Sequence, residues 1–447
     1  MQDHAIVLGG SMAGLAAAST LAEQFERVTI LDRDRFPITD DHRRGVPQSR
    51  HAHGLLAAGR AALEELLPGL TAELTAAGAI PGDLQADCRW YNDGHLLRQA
   101  DSGLLALAVS RPLLEGRVRA RVAALPNVRL LDGCDVTGLV AARGGVGGVR
   151  TLRRADGSAE EELVADLVVD TTGRGSRGPA WLEELGYARP AEEQVRVGIA
   201  YATRIYRRRP EHLDGDLVAV ITAKPGLGRG GAMLGMEGDR WIVTLIGYLG
   251  DVPPVDPEGF ERFAETLADP AIAETIRDAE PIGDPVATRF PASIRRRYEK
   301  LDRFPDGYLV MGDAVCSFNP VFGQGMTVAA SEALVLRDCL LAGPDRLAQR
   351  FLPKMAALVD IPWEIAVGSD LRFPEVEGPR TAKVRMINAY LARLYVVAES
   401  DPVVGEAFVR VLNLIDRPER LMRPAIAARV LRGARRSAKP ERVLTPA

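Results

Sequence analysis

The strongest constraint on the fold lies in the first thirty-two residues. Ala5-Ile-Val-Leu8 is a short apolar run of the kind that forms a strand buried on both faces. It leads at once into Gly9-Gly10-Ser11-Met12-Ala13-Gly14 and a small-residue helical stretch, Leu15 to Ala22. The layout is G-x-G-x-x-G with Ser11 in the place of the second glycine. Gly9 permits the tight strand-to-helix turn, and Gly14 lets the helix lie close to the sheet. The helix start offers N–H groups and a positive dipole end to a pyrophosphate. A second apolar strand, Val28 to Leu31, ends at Asp32, eighteen positions beyond Gly14, where an acid can hold a ribose hydroxyl pair. Strand, glycine turn, helix, strand and acid in this order predict an α/β domain with a dinucleotide site. Taken alone, Asp32 would read as an ordinary strand-end turn residue.

A distant segment completes the pattern. Tyr308-Leu-Val-Met311 reads as another short strand and runs into Gly312-Asp313-Ala314. The loop Phe318-Asn319-Pro320-Val321-Phe322-Gly323-Gln324-Gly325-Met326 then opens into a helix from Thr327 to Leu340. A carboxylate at a strand end can bond sugar-like hydroxyls, and a helix start can stabilise negative charge on a reduced flavin ring. Pro320 suits a loop that must not extend the strand. These are two requirements of FAD.

With both halves in place, the chain resembles the FAD-binding fold of the para-hydroxybenzoate hydroxylase type. More narrowly, Arg44-Gly-Val-Pro-Gln-Ser-Arg-His-Ala-His53, Ser110-Arg111-Pro-Leu-Leu114 and Asp170-Thr-Thr-Gly-Arg-Gly-Ser-Arg177 resemble the olefin epoxidases of polyether biosynthesis. The resemblance runs from about residue 4 to about residue 340. It implies that Gly9, Ser11, Met12, Ala13 and Gly14 cradle the pyrophosphate. Asp32 holds the adenosine ribose, and Arg33 lies beside the adenine. Arg50 and Arg111 meet the phosphates or the ribityl chain. Asp313 bonds the ribityl, Gly325 and Met326 sit under the flavin pyrimidine edge, and Gly312, Pro320 and Gly323 belong to the same cofactor-binding segment. Val136 touches the adenine through its backbone. The family's aromatic hydroxylases carry Asp-Gly where this chain has Thr172-Gly173, which bears on how pyridine nucleotide is handled. Reducing equivalents come from NAD(P)H directly or through a separate flavin reductase.

The implied architecture is α/β: a Rossmann-like FAD-binding domain, an interleaved β-sheet substrate domain and a C-terminal helical cap. The FAD domain takes 1–85, 106–185 and 291–345, the substrate sheet 86–105 and 186–290, and the helical region 346–447. In Val195 to Ile205 the odd positions are apolar apart from Thr203, which suits a sheet packed on one face. The opposite face carries Arg196 and Arg204, so alternation alone leaves open which face lines a pocket. Tyr201, Met233, Met236 and Phe318 are the substrate-side candidates, each of which also reads as plain core. Ala389 to Ala398 has helical periodicity.

Composition narrows the class. The chain has 447 residues, 47% hydrophobic and 26% charged, with a formal charge of -4. This excludes a disordered chain or a disulfide-stapled miniprotein and gives no support to a nucleic-acid partner. Of 56 basic residues, 51 are Arg and 5 are Lys. The excess reads chiefly as codon usage. No signal peptide or membrane-spanning run is visible, and the four scattered cysteines read as free thiols, so a cytoplasmic protein is expected. His51 and His53 lack further ligands, so no metal is expected. Gly144 to Gly148 reads as a hairpin turn, and Gly226 to Gly231 lacks a following helix to bind phosphate. The basic run from Arg417 to Arg442 reads as a solvated helix face and tail.

By resemblance, the function is an FAD-dependent monooxygenase. It delivers one oxygen of O2, through a flavin C4a-hydroperoxide, to an olefin of a large apolar polyketide or terpenoid. The chemistry is borne by the flavin, so no catalytic side chain is singled out. The alternatives are an NADPH-dependent aromatic hydroxylase and a prenyl double-bond reductase. A flavin halogenase needs a lysine ahead of the flavin and a Trp-x-Trp-x-Ile-Pro segment. The first lysine here is Lys224 and the segment is missing.

Overall fold

The computed structural model describes residues 2–37, 41–43, 45–155 and 158–437. The chain divides into two compact units. The first comprises Met1–Ala79, Val109–Val197 and Phe290–Val367, and the second Ile80–Ala108, Gly198–Arg289 and Gly368–Ala447. The long C-terminal helix Leu347–Asp370 therefore belongs mostly to the first unit, and the helices after it to the second.

In the first unit a five-stranded sheet has the order Tyr308–Val310, Leu167–Asp170, Gln2–Leu8, Phe25–Leu31, Val128–Leu131, and every pairing is parallel. The central strand carries Ala5, Ile6, Val7 and Leu8, each with 0% exposure, as expected of an apolar run covered on both faces. Parallel pairing puts the carboxyl ends of all five strands on one edge. Leu8, Leu31, Asp170 and Val310 therefore deliver their following loops to the same place. Helix Met12–Ala22 packs against helix Gly325–Leu341, where Thr20 Oγ1 donates to the Ala333 carbonyl at 3.2 Å. A separate antiparallel sheet joins Cys134–Ala142, Gly145–Arg153 and Glu160–Val164. Gly144, with φ +84°, makes the hairpin turn between the first two strands.

In the second unit the part of strand Glu192–Arg207 from Ala200 onward pairs antiparallel with Arg240–Gly247. Arg229–Met236, Val218–Ile221, Cys88–Asn92 and His95–Leu96 follow across the sheet. The Gly226 cluster is a turn with φ +83° that opens into a strand. The sheet's even face along residues 202–206 meets helices Pro257–Ala264 and Ala271–Asp278. Ala202, Tyr206, Met233, Trp241, Val243 and Leu245 pack there with Phe260, Phe263, Ile272 and Ile276. Arg204 belongs to this covered face: it stacks over the Tyr206 ring and donates to the Gly283 carbonyl at 3.0 Å. The side of Tyr201 and Thr203 is thus the one turned away from the two helices.

Helices Ala382–Ala398 and Pro402–Leu412 start on side-chain caps from Thr381 and Asp401. The basic run occupies the short turn Pro418–Met422 and helix Pro424–Ser437, and its residues 438–442 lie outside the described residues. Among the described residues no helix is long and apolar enough to cross a membrane.

Phe260 is fully enclosed between sheet and helices, whereas Leu341 is 65% exposed. Phe260→Ala is expected to cost about 3–5 kcal/mol in urea unfolding. Leu341→Ala should cost less than about 0.5 kcal/mol.

Candidate cofactor site

The site is built on the sheet edge of the first unit. Gly9 has φ +97°, and a Cβ there would lie 2.8 Å from the Thr171 carbonyl oxygen. A Cβ on Gly14 would come within 1.8 Å of the Gly9 oxygen. Only glycine permits this closeness of strand end and helix start. Ser11 is the N-cap of helix Met12–Ala22, but its side chain does not cap. The Ser11 hydroxyl instead donates to Glu115 Oε2 at 2.9 Å, so no side chain competes for the N–H groups of the first turn. Met12 is buried and Ala13 half-buried.

A buried charge network backs this turn. Asp32 Oδ2 accepts from the Gly10 N–H at 2.8 Å and from Arg43 Nη1 at 3.0 Å, while its Oδ1 accepts from the Asp34 N–H at 2.8 Å. Arg43 reaches on to Glu115 at 2.8 Å and to the Gly10 carbonyl at 3.3 Å. Arg111, the first residue of helix Arg111–Ala123, donates to Glu115 Oε2 at 2.8 Å and to Ser11 Oγ at 3.0 Å. Burial alone would raise the Glu115 carboxyl. Arg111 and Arg43 overcome it and hold the group below its ordinary range. Burial likewise disfavours the Arg43 charge, yet Glu115 and Asp32 raise its pKa.

The third loop is tied to the first. Asp170, with 0% exposure, accepts from the Thr172 N–H at 2.9 Å, Ser176 Oγ at 2.6 Å and Tyr308 OH at 3.1 Å. Thr171 Oγ1 donates to the Leu8 carbonyl at 2.7 Å and bridges to Gly9 at 3.1 Å. The fourth loop presses on the helix start: Gly312 has φ +64°, and a Cβ there would meet Ala13 at 2.8 Å.

Asp313 follows Gly312 and lies between Gly173 and Gly325, whose Cβ positions would be 4.0 and 3.8 Å from it. Asp313 is exposed, although protein atoms crowd it from several sides. Desolvation raises the carboxyl, against the pull of Arg111 and Arg174. Gly323, φ +62°, closes the short turn Pro320–Phe322. Pro320 is exposed, and Met326 and Phe318 are buried. Gln324 is 1% exposed, and neither its amide oxygen nor its nitrogen has a partner among the described residues.

Several predicted residues sit at the margin. Arg33 and Arg50 are exposed. Val136 is half-buried on strand Cys134–Ala142, whose Cys134 N–H donates to the Asp32 carbonyl at 2.9 Å. His53 Nδ1 faces the His51 carbonyl at 2.8 Å, and a carbonyl only accepts, so Nδ1 carries the proton. Burial chiefly, with nearby Arg111, pushes His53 down to about 3. Burial and Arg50 push His51 down to about 4. Both rings are therefore neutral. Among the described residues no group of three metal-ligating side chains occurs. In the second unit Tyr201 and Met236 share one sheet face, while Met233 lies on the opposite, helix-covered face, so these candidates do not line one surface.

Sequence reasoning gave no role to Arg43, Glu115, Asp170 or Glu332, whose Oε2 accepts the Gly312 N–H at 2.6 Å. The available signals were the spacing of Arg111 and Glu115, four apart on a helix, and the place of Asp170 at the head of a segment that carries the resemblance. Together the open helix start, Asp32 and Asp313 fit FAD: N–H groups for phosphate, two carboxylates for hydroxyls and glycines that clear the approach.

No protein-family profile matches the chain. Protein Rv3254 of Mycobacterium tuberculosis (strain ATCC 25618 / H37Rv) is 36% identical over 438 residues, covering 93% of this chain and 90% of that protein. The 6-methylpretetramide 4-monooxygenase of Streptomyces rimosus is 26% identical, with 78% of each chain covered. Squalene monooxygenase 1,1 of Brassica napus is 23% identical over 75% of this chain, which spans 62% of that enzyme's length. Among solved structures, pqsL, a probable FAD-dependent monooxygenase from Pseudomonas aeruginosa, superposes with a TM-score of 0.61 at 20% identity, covering 83% of this chain and 97% of its own. The flavin-dependent brominase Bmp2 gives 0.67 at 15% identity, covering 97% and 100%. At these identities the structural likenesses establish the fold.

Glu115→Gln removes the charge that compensates two buried guanidinium groups, and should destabilise the chain by about 3–5 kcal/mol at pH 7. A carboxyl with a depressed folded pKa stabilises above its unfolded value. The gap between wild type and variant melting temperatures should therefore close as pH falls below about 4.5.

Proposed function

The chain is an FAD-dependent monooxygenase of the para-hydroxybenzoate hydroxylase fold and belongs to one family with mycobacterial protein Rv3254, and on that premise we propose that it epoxidises an olefin of a large apolar substrate. The observation that carries the cofactor reading is the meeting of Asp32, Asp313 and the open start of helix Met12–Ala22 on one sheet edge. Asp32 holds the adenosine ribose. The first-turn N–H groups and Arg111 hold the pyrophosphate, and Asp313 holds the ribityl hydroxyls. When bound and reduced, FAD supplies the activation of O2.

The protein's own task is to hold the cofactor rigidly, exclude water and orient a double bond. The olefin reading is supported by likeness to squalene monooxygenases and by the apolar character of Tyr201, Met236 and their neighbours Ile242 and Ile246, all buried. Thr172-Gly173 replaces the Asp-Gly of the nicotinamide-using hydroxylases. Reducing equivalents accordingly come from NAD(P)H through a separate flavin reductase, in preference to direct reduction. The likeness to 6-methylpretetramide 4-monooxygenase favours a second reading, hydroxylation of an aromatic polyketide.

Aerobic turnover with reduced flavin and labelled O2, over polyenes, prenylated quinolones and phenols, should add one labelled oxygen to an alkene. Label on a phenol ring establishes the second reading, and a reduced alkene without label refutes both. Asp313→Ala should weaken FAD retention about 10- to 100-fold. Asp239→Ala, at an exposed turn of the other unit, should leave retention unchanged. Equal retention would remove the assignment of Asp313.

A further inference from the structure

Behind the Gly312–Asp313 turn lies a carboxyl that the reaction does not use. Glu332, on helix Gly325–Leu341, has 0% exposure. Its Oε2 accepts the Gly312 N–H at 2.6 Å, and its Oε1 has no partner among the described residues. Gly312 is the residue held at φ +64° against Ala13. One buried bond thus fixes a left-handed turn, and the next residue on that turn is Asp313. We propose that Glu332 is a positioning residue of the cofactor site, the backstop that sets the reach of Asp313, and that the site loosens when this carboxyl loses its proton. The proposal rests on reading Asp313 as an FAD ligand.

The charge environment gives the direction. Desolvation chiefly, with the nearby Asp313 carboxylate, pushes Glu332 up to about 8, although the Gly312 bond favours ionisation. Of the elements packed on its helix, Met12–Ala22 carries no titratable side chain. Helix Ala57–Leu66 carries Arg60, Glu64 and Glu65, of which Glu64 bonds Thr71 and Glu65 pairs with Arg337. The Gly312–Ala314 turn brings Asp313, and strand Cys316–Ser317 brings the Cys316 thiol. Neither Asp313 nor Cys316 offsets a negative charge on Glu332. Above pH 8 that charge stands behind Asp313 and repels it.

The test is FAD titration into the apoprotein, followed by flavin fluorescence at pH 7 and pH 9. Wild type should lose about tenfold in affinity across this range. Glu332→Gln keeps an acceptor for the Gly312 N–H but cannot ionise, so its affinity should stay within about twofold of its pH 7 value. Glu332→Leu, which cannot accept the bond, should bind about tenfold more weakly at pH 7. A Glu332→Gln profile that follows wild type, or Glu332→Leu binding as wild type does, overturns the proposal.

Melting of the apoprotein separates this from the cofactor reading. A folded-state carboxyl with a raised pKa keeps a proton that the unfolded chain releases. Wild type should therefore lose stability relative to Glu332→Gln as pH rises from about 4.5 to 8. That difference without any FAD uptake removes the reading of the site and with it the positioning role. FAD uptake without that difference overturns the proposal alone.

Discussion

Glu115 is the fixed point of the cofactor site. This single buried carboxylate takes Arg43 from a loop, Arg111 from its own helix and the Ser11 hydroxyl from the glycine turn. Burying such a charge is costly, and the cost is recovered only when several donors converge with good geometry. The consequence reaches beyond stability. Because Ser11 is drawn to Glu115, the helix start that a serine would ordinarily cap stays open to an anion. Arg43, anchored on the same carboxylate, in turn braces Asp32. Asp32, Arg111 and the open helix start are thus held by protein contacts alone, which on the proposed reading lowers the entropic cost of binding FAD.

Most of that half of the molecule was legible because its signals are local. A strand that must stop, a turn that tolerates no Cβ and a helix of small residues are written within a few positions. Parallel pairing then brings residues 9, 32, 171 and 312 to one edge without further instruction. Asp32 and Asp313 follow from that rule. Arg43 does not, because its role depends on acids 11 residues before it and 72 residues after it. Arg33 and Arg50 rest on the family resemblance alone, and both, like Asp313, are exposed.

The second unit shows why alternation was weaker evidence. Tyr201 at 5% and Ala202 at 0% exposure lie on opposite faces, so both faces of that strand are covered. Arg204, on the face whose role alternation left open, is 7% exposed, held over Tyr206 and bonded to the Gly283 carbonyl. An amphipathic side chain of this kind buries its stem and pairs its head, so it gives no sign of which face is wet. Met233 and Met236, three apart on one strand, necessarily fall on opposite faces. One of them had to be core, and the two helices decide for Met233.

The division of the chain has a mechanistic consequence. Every residue assigned to FAD lies in the first unit, whereas Tyr201 and Met236 lie in the second. Since the oxygen chemistry belongs to the cofactor, a change of substrate requires no change in the charge network around Glu115. That network tolerates little, because each arginine on it is buried and removal of one charge exposes the others. Apolar positions of the second unit tolerate exchange of shape at modest cost. On the proposed reading, selection for a new substrate acts on the second unit's sheet, while the energetics of the buried ions hold the charge network around Glu115 constant.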